Sequence, residues 1–557
     1  MMKMNHLFKA FAVLAALMAL TACDKFLDKM PDNRAEINSR EKIRALLSSA
    51  YSESTYMLFC EYMSDNVDNL GDDNPGTSRF IDQCYSWAEI TEKENDSPDN
   101  FWESNYGAIN HANQALQAIR MIAGCPDELS VSAVEKAGYA PEMAEALLCR
   151  AFAHFMLVNI FCQNYNSDTS DKDLGIPYID DVPSELNPKY DRGTVAGVYD
   201  RIEKDLEIAL RYVSDSYYQV PKYHFNVKAA YAFACRFYLF YEKWDLAAEY
   251  ATKCLGSQPA QVLRNYKQRN SMEKDTEVRG IDYIRSSQDA NLMLMTAYSV
   301  AGWYFNYPYI TKYALDSYLV FTEMHYAQNI WGNTETGWRN VNSWFWEGPE
   351  WYNGANFDQL VVFKMPSDML FEYTDPVAQT GYMHSVYPAF TPDETLLNRA
   401  EAYIMLGRYD EAAADLDTWV HNVIKPQNFS GTLTPESIHD FYKEIAYWTA
   451  TEPTIKKHLH PAFAIGGEGE LRESMLQCML QFKRLENTST GLRWLDVKRY
   501  GIEITRRTME PDPNAGDYGA SYKILKGDVD VLTVDDPRRA LQIPPDIVAA
   551  GVERNPR

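Results

Sequence analysis

The chain has 557 residues, 46% hydrophobic and 24% charged, which excludes a disordered or collagenous polypeptide and leaves ample material for a core. With 53 Lys+Arg against 78 Asp+Glu the formal net charge is −25, so a nucleic acid would meet a repelling field at each phosphate, and the composition argues against one as partner. Aromatic residues make up 13%, which on so acidic a chain points to stacking surfaces as well as core.

Lys3 and Lys9 precede the run Ala10-Phe-Ala-Val-Leu-Ala-Ala-Leu-Met-Ala-Leu20, a basic start followed by an apolar stretch too short to span a bilayer comfortably. Residues 1–22 therefore read as a signal peptide. The run ends Leu20-Thr21-Ala22-Cys23, which resembles the lipobox of bacterial lipoproteins. That resemblance implies cleavage before Cys23, acyl chains on its thiol as the only membrane anchor, and a soluble body over 23–557. Eight cysteines remain, none in C-x-x-C spacing, and several lie in apolar helical runs where a thiol behaves as a small hydrophobe. Most are expected to be buried; export admits a disulfide such as Cys60 to Cys84, which spacing alone does not establish.

From residue 40 onward the dominant period is helical, in antiparallel pairs rather than strands. Helices are expected over 41–51, 101–120, 141–162 and 196–213. Residues 64–79 are rich in Asx and Gly turn formers and read as a solvated acidic loop. The segments 233–248 and 398–413 match at an offset of 165 residues: Trp244 meets Tyr409, Asp245 meets Asp410, and Ala247-Ala248 meets Ala412-Ala413. This is the aromatic-x-x-Ala signature of a tetratricopeptide repeat, in which small alanines let two helices approach. The expectation is a mainly α chain: a tetratricopeptide-like scaffold of about four helix pairs, within 41–255 and 393–425, interrupted by a loop-rich insertion over about 264–392. Residues 298–360 hold six of the twelve tryptophans, Trp303, Trp331, Trp338, Trp344, Trp346 and Trp351, with no period of 2 or 3.6. Long loops on a rigid scaffold are where binding residues concentrate.

No HExxH, GxSxG, P-loop or dinucleotide fingerprint occurs, so no enzymatic constellation is legible. His458 and His460 lack an acidic or cysteine partner at ligand spacing, and Gly466-Gly467 reads as a turn. Asp65, Asp68, Asp72 and Asp73 offer oxygen atoms to Ca²⁺ but miss the EF-hand order, so no cofactor is expected and a structural calcium has no support. The aromatic insertion reads better as a carbohydrate or peptide platform. A sugar ring has an apolar C–H face and a rim of hydroxyls, which suits Trp303 or Trp331 beside Asn and Arg side chains.

Several motifs in order resemble the SusD/RagB family of surface lipoproteins. They are Cys23-Asp-Lys-Phe-Leu-Asp-Lys-Met-Pro31; Phe101-Trp102 through Tyr106, Ile109 and Asn113; Glu145 to Phe155 followed by Gly175-Ile-Pro177; Leu397-Asn-Arg399-Ala-Glu401-Ala-Tyr403 with Gly407-Arg-Tyr409; Arg493-Trp494-Leu-Asp496-Val-Lys-Arg499-Tyr500-Gly501; and Ile543-Pro544-Pro545 to Asn555-Pro556. Tyr500 stands where a Trp is common. The resemblance implies buried charged pairs for Arg493, Asp496 and Arg499, and a ligand face built from 64–102 and 298–360. It further implies a non-catalytic, outer-membrane lipoprotein facing the cell exterior, which captures an oligosaccharide or polysaccharide and delivers it to a SusC-like TonB-dependent transporter. Trp303, Tyr304, Trp331 and Trp338 are the stacking candidates, with Asp73, Arg79, Trp87 and Asn306 facing them. Peptide capture in the same family and a periplasmic helical scaffold stand as alternatives, and the sequence does not name the sugar, its linkage or its length.

Overall fold

The computed structural model describes residues 37–72, 74–183, 188–306, 311–333, 344–351, 360–514 and 522–557. The described chain opens with α1 (Arg40–Leu47), α2 (Met57–Met63), the short strand β1 (Asp68–Asn69) and α3 (Arg79–Tyr85). Helix α4 (Pro98–Ala123) shows how local sequence sets an element's limits. Ser97 caps it by accepting from the Asn100 amide, Pro98 fits the first turn, and Gly124 ends it at φ 73°. Helix α5 (Ala140–Phe161) is long and apolar enough to cross a membrane, yet the qualifying window is entirely buried, so it is the central helix of the core. It packs between α4 and α6 (Val195–Tyr212). Arg150 of α5 ties the three together, donating to both Asp205 oxygens at 2.7 Å and to Asn113 Oδ1 at 2.9 Å.

Helices α7 (Val227–Phe240) and α8 (Trp244–Leu255) form the first of the two matched repeat pairs. The insertion then supplies β2 (Met293–Ala297), α9 (Ala301–Asn306), β3 (Tyr313–Ala314), α10 (Ser317–Thr322), the short pair β4 (Glu350–Trp351) and β5 (Leu360–Val361), and the hairpin β6 (Leu370–Asp375) and β7 (Thr380–Phe390). Helices α11 (Pro392–Met405) and α12 (Tyr409–Val423) form the second matched pair, with Ala247, Ala248, Ala412 and Ala413 all buried as the repeat signature requires. Because α11 packs directly on α8, the helical stack resumes across the insertion as though it were not there. Helices α13 (Pro435–Glu444), α14 (Leu471–Glu486) and α15 (Leu492–Arg499) follow, then the hairpin β8 (Ile504–Pro511) and β9 (Tyr522–Leu532).

The scaffold is mainly α, as expected, but two sheets were not legible as such. One runs β2-β7-β6; the other runs β3-β1-β8-β9 and joins strands separated by more than 400 residues of sequence. The eight described cysteines are free thiols, seven of them buried, and Cys60 and Cys84 are not bridged.

The start of the 64–79 loop corrects the solvated reading. Asp65 and Asp68 are buried because arginines from distant helices and strands neutralise them. Arg493 grips Asp65 with two bonds of 2.8 and 2.9 Å, Arg484 donates to the Asp65 carbonyl at 2.5 Å, and Arg507 of β8 holds Asp68 at 2.9 Å. Glu323, just past α10, completes the cluster with Lys457 at 2.7 Å, Arg507 at 3.0 Å and Arg484 at 3.4 Å. Burial pushes the Glu323 carboxyl up, but Lys457, Arg507 and Arg484 hold it down at about 2. A second cluster joins α11 to α14 and α15: Glu401 accepts from Arg499 at 2.8 Å, Lys483 at 3.2 Å and Tyr500 Oη at 2.7 Å, while Lys483 also meets Asp496 at 2.9 Å. The charged pairs expected of Arg493, Asp496 and Arg499 are therefore present. Burial raises the Glu401 carboxyl, and Arg499 and Lys483 override it to about 2.

Two outcomes follow from these clusters. Asp65→Ala strands buried guanidinium groups and lowers stability by about 3–5 kcal/mol, read as a lower urea midpoint. Glu323 and Glu401 titrate below their unfolded value of about 4.3, so their contribution is full above that value and is lost as pH falls from about 4.5 through about 2; the urea midpoint declines across that window.

Candidate functional site

The two segments expected to form the ligand face meet along one seam. β1 pairs antiparallel with β3, Asp68 opposite Ala314 and Asn69 opposite Tyr313, and Gly76 bridges to Thr311. Farther along, buried Asp96 accepts from Ser299 Oγ at 2.5 Å and from the Val300 amide at 2.8 Å, which fixes the chain entering α9. Burial pushes the Asp96 carboxyl up to about 6 despite these two donors.

The seam is lined by a continuous series of rings. Trp303 of α9 meets Tyr304 edge-on at 5.0 Å; Tyr304 meets Tyr62 edge-on at 6.1 Å; Phe305 stacks on Tyr62 at 6.5 Å. Tyr62 then meets Tyr313 edge-on at 6.4 Å, and Tyr313 stacks on Tyr85 at 4.1 Å. The series ends inside, where the Arg506 guanidinium lies 4.0 Å from the Tyr85 ring and 4.2 Å from the Trp87 ring. At the outer end Trp303, Tyr304 and Phe305 are each partly exposed, with Ser78 hydrogen-bonded to Tyr304 and the carboxylates of Glu94 and Asp96 near it. Burial is the main cause of the raised Tyr304 hydroxyl, with Ser78 as its hydrogen-bond partner. Tyr313 Oη donates to Asp82 Oδ1 at 2.7 Å, and Lys312 Nζ reaches Asp72 Oδ1 at 2.8 Å. The arrangement can receive an apolar ring face and offer hydroxyl, guanidinium and carboxylate groups around it; no set of three or more His, Cys, Asp or Glu side chains placed to hold a metal occurs among the described residues.

The structure divides the expected site residues. Trp303 and Tyr304 lie at this outer end; Arg79, next in sequence to Ser78, is exposed and paired to Glu92 at 3.2 Å. Trp331 does not: it is 5% exposed, meets Phe345 edge-on at 5.8 Å and lies 5.7 Å from Phe482, so it is a core residue of the insertion. Trp87 is 3% exposed and donates its indole N–H to the Met63 carbonyl at 2.9 Å, and Asn306 is buried and donates to the Met365 carbonyl at 2.9 Å. All three lie inside the protein, Trp87 and the Asn306 amide nitrogen bonded to backbone carbonyls and Trp331 held by ring packing. Trp338, Asp73 and Cys23 lie outside the described residues. Tyr62, Phe305, Tyr313 and Asp96 belong to the site and were not singled out; Tyr62 sits in an apolar helical run and reads locally as core. His458, read as a surface or core residue, stacks on Tyr447 at 4.5 Å and pairs with Glu468 at 2.6 Å. The different burial of the two tryptophans has a measurable outcome: Trp331→Ala lowers the urea midpoint by the equivalent of about 3–5 kcal/mol, whereas Trp303→Ala costs less than about half of that.

Residues 25–239 match the family SusD-like_3, described as "Starch-binding associating with outer membrane". No curated protein matches the chain. Among solved structures, a SusD superfamily protein from Bacteroides fragilis is 18% identical with a TM-score of 0.57, covering 93% of this chain and 99% of its own. A SusD superfamily protein from Bacteroides thetaiotaomicron is 17% identical with a TM-score of 0.57, covering 92% and 98%. A SusD-like carbohydrate binding protein from Bacteroides vulgatus is 14% identical with a TM-score of 0.52, covering 92% and 96%. Residues 25–239 thus match the SusD-like family model, and the chain as a whole shares the fold of SusD superfamily structures.

Proposed function

We propose that this protein is a lipid-anchored, non-catalytic binding protein of the outer membrane. It captures an oligosaccharide at the cell exterior and passes it to a SusC-like TonB-dependent transporter. The observation that carries the reading is the convergence of two sequence-distant segments on the partly exposed rings of Trp303, Tyr304 and Phe305, with Ser78, Glu94 and Asp96 near Tyr304. A partly exposed indole suits the C–H face of a pyranose, and the polar neighbours suit its hydroxyl rim. Trp338 and Asp73 remain in the proposed contact set on sequence grounds, and Cys23 is the proposed lipid-bearing residue. The description of the matched family, starch binding and outer-membrane association, supports the same reading, as does the carbohydrate-binding description of the Bacteroides vulgatus structure. Ring stacking with a few hydrogen bonds gives modest, reversible affinity, which a carrier that must release its cargo requires.

The test is affinity electrophoresis of the purified protein through a panel of polysaccharides, beside Trp303→Ala. One glycan is expected to retard the protein, and the variant to bind it at least about tenfold more weakly. A folded protein retarded by no glycan would overturn the carbohydrate reading and turn attention to basic peptides, which the acidic surface would attract.

A further inference from the structure

The β6–β7 hairpin leaves the body of the protein at Leu370, whose side chain packs against a small core of Tyr283, Ile284, Leu294 and Val386. Beyond that point every residue from 371 to 383 is exposed. A solvated hairpin ordinarily carries polar residues on at least one face. This one carries aromatic residues on both: Phe371 is 44% exposed, Tyr373 55% and Tyr382 50%. The pairing of Phe371 with Met383 and of Tyr373 with Gly381 puts Phe371, Tyr373 and Met383 on one face, where the two rings meet at 4.8 Å. A Cβ at position 381 would sit 2.9 Å from the Phe371 ring and 2.0 Å from the Glu372 carbonyl oxygen, so glycine there admits that ring and the close strand. Glu372, opposite Tyr382 and hydrogen-bonded to its hydroxyl at 2.9 Å, faces the other way. In the order β2-β7-β6 the strand β6 is the sheet's outer edge. Charge on this projection has one sign: residues 365–398 contain no lysine or arginine, and Asp368, Glu372 and Asp375 are exposed.

We propose that the edge of β6 is a docking site for a partner protein, which adds an extended segment of alternating apolar and basic residues as a further strand of this sheet. Each feature of the segment is set by a feature of the edge. Backbone pairing follows from the outward peptide groups of an edge strand, apolar side chains from Phe371 and Tyr373 on one face, and basic ones from Glu372 on the other. A hydrophobic edge would invite pairing with any strand; acidic residues, without a lysine to guard it, restrict the occupant to a cationic one. The proposal does not depend on the sugar reading, since the hairpin rises from β7 and shares no residue with the Trp303 surface.

The probe is a fluorescein-labelled octapeptide alternating valine and lysine, with a valine–glutamate octapeptide as control, titrated into the full chain and followed by anisotropy. Hydrogen exchange is then mapped with the peptide bound. The lysine peptide is expected to bind and to slow amide exchange at 370–375, and the glutamate peptide to do neither. Glu372→Lys and the double variant Phe371→Ser/Tyr373→Ser are each expected to weaken binding at least about tenfold with an unchanged thermal transition, because every residue of 371–383 is exposed. Failure of the lysine peptide to bind overturns the proposal, as does binding without slowed exchange at 370–375, which would mark a diffuse attraction to the acidic surface. Equal binding of the glutamate peptide, or undiminished binding by either variant, overturns it too.

Discussion

The grip of Arg493, Arg484, Arg507 and Lys457 on Asp65, Asp68 and Glu323 is the interaction on which the arrangement of this protein rests. The acidic members come from the two segments that build the ring-lined seam, and the basic ones from the C-terminal helices, β8 and the loop before α14. Each carboxylate taken from water is met by guanidinium or ammonium groups within hydrogen-bond distance, which offsets a desolvation cost of several kcal/mol per ion. A hydrophobic contact of similar size would tolerate a range of approaches. Bidentate arginine bonds fix the angle as well as the distance of the loop they hold. Placement of Tyr62 and Tyr313 relative to Trp303 thus depends on charges that never touch the surface.

Much of the scaffold was legible before any coordinates. The offset of 165 residues between the matched helix pairs, with buried alanines at the same positions in each, is a local pattern that survives because tetratricopeptide helices contact their sequence neighbours. The charged residues Arg493, Asp496 and Arg499 were legible through resemblance, though their partners Asp65, Lys483 and Glu401 were not. Asp65 lies 428 residues from Arg493, and nothing in a stretch of Ser, Asp, Asn and Gly says that it will be buried. The same limit explains the sheet that joins β1 to β8, since a two-residue strand has no period to read.

The candidate site was legible in outline and misread in detail. The segments 64–102 and 298–360 meet along one seam, with Trp303 and Tyr304 partly exposed at its end. Tryptophan as a residue type says that a large ring must be accommodated, without saying on which side of the backbone. Trp331 went inward against Phe345 and Phe482 of α14, and Trp87 inward beneath Arg506, because both rings join the main core of the scaffold. Asp96 was passed over as one more acid in an acidic chain; its role depends on Ser299, more than 200 positions away.

The direct packing of α8 against α11 has an evolutionary meaning. The polypeptide leaves the stack after Leu255 and rejoins it at Pro392, and the departing and returning helices are next-door neighbours, so the intervening residues form a closed excursion. Chain entropy charges such an excursion only logarithmically, about 0.6 kcal/mol for each doubling of its length. The excursion can therefore change in length at its exposed turns while the repeat stack keeps its register, so long as Glu323 and Trp331 keep their partners on α14.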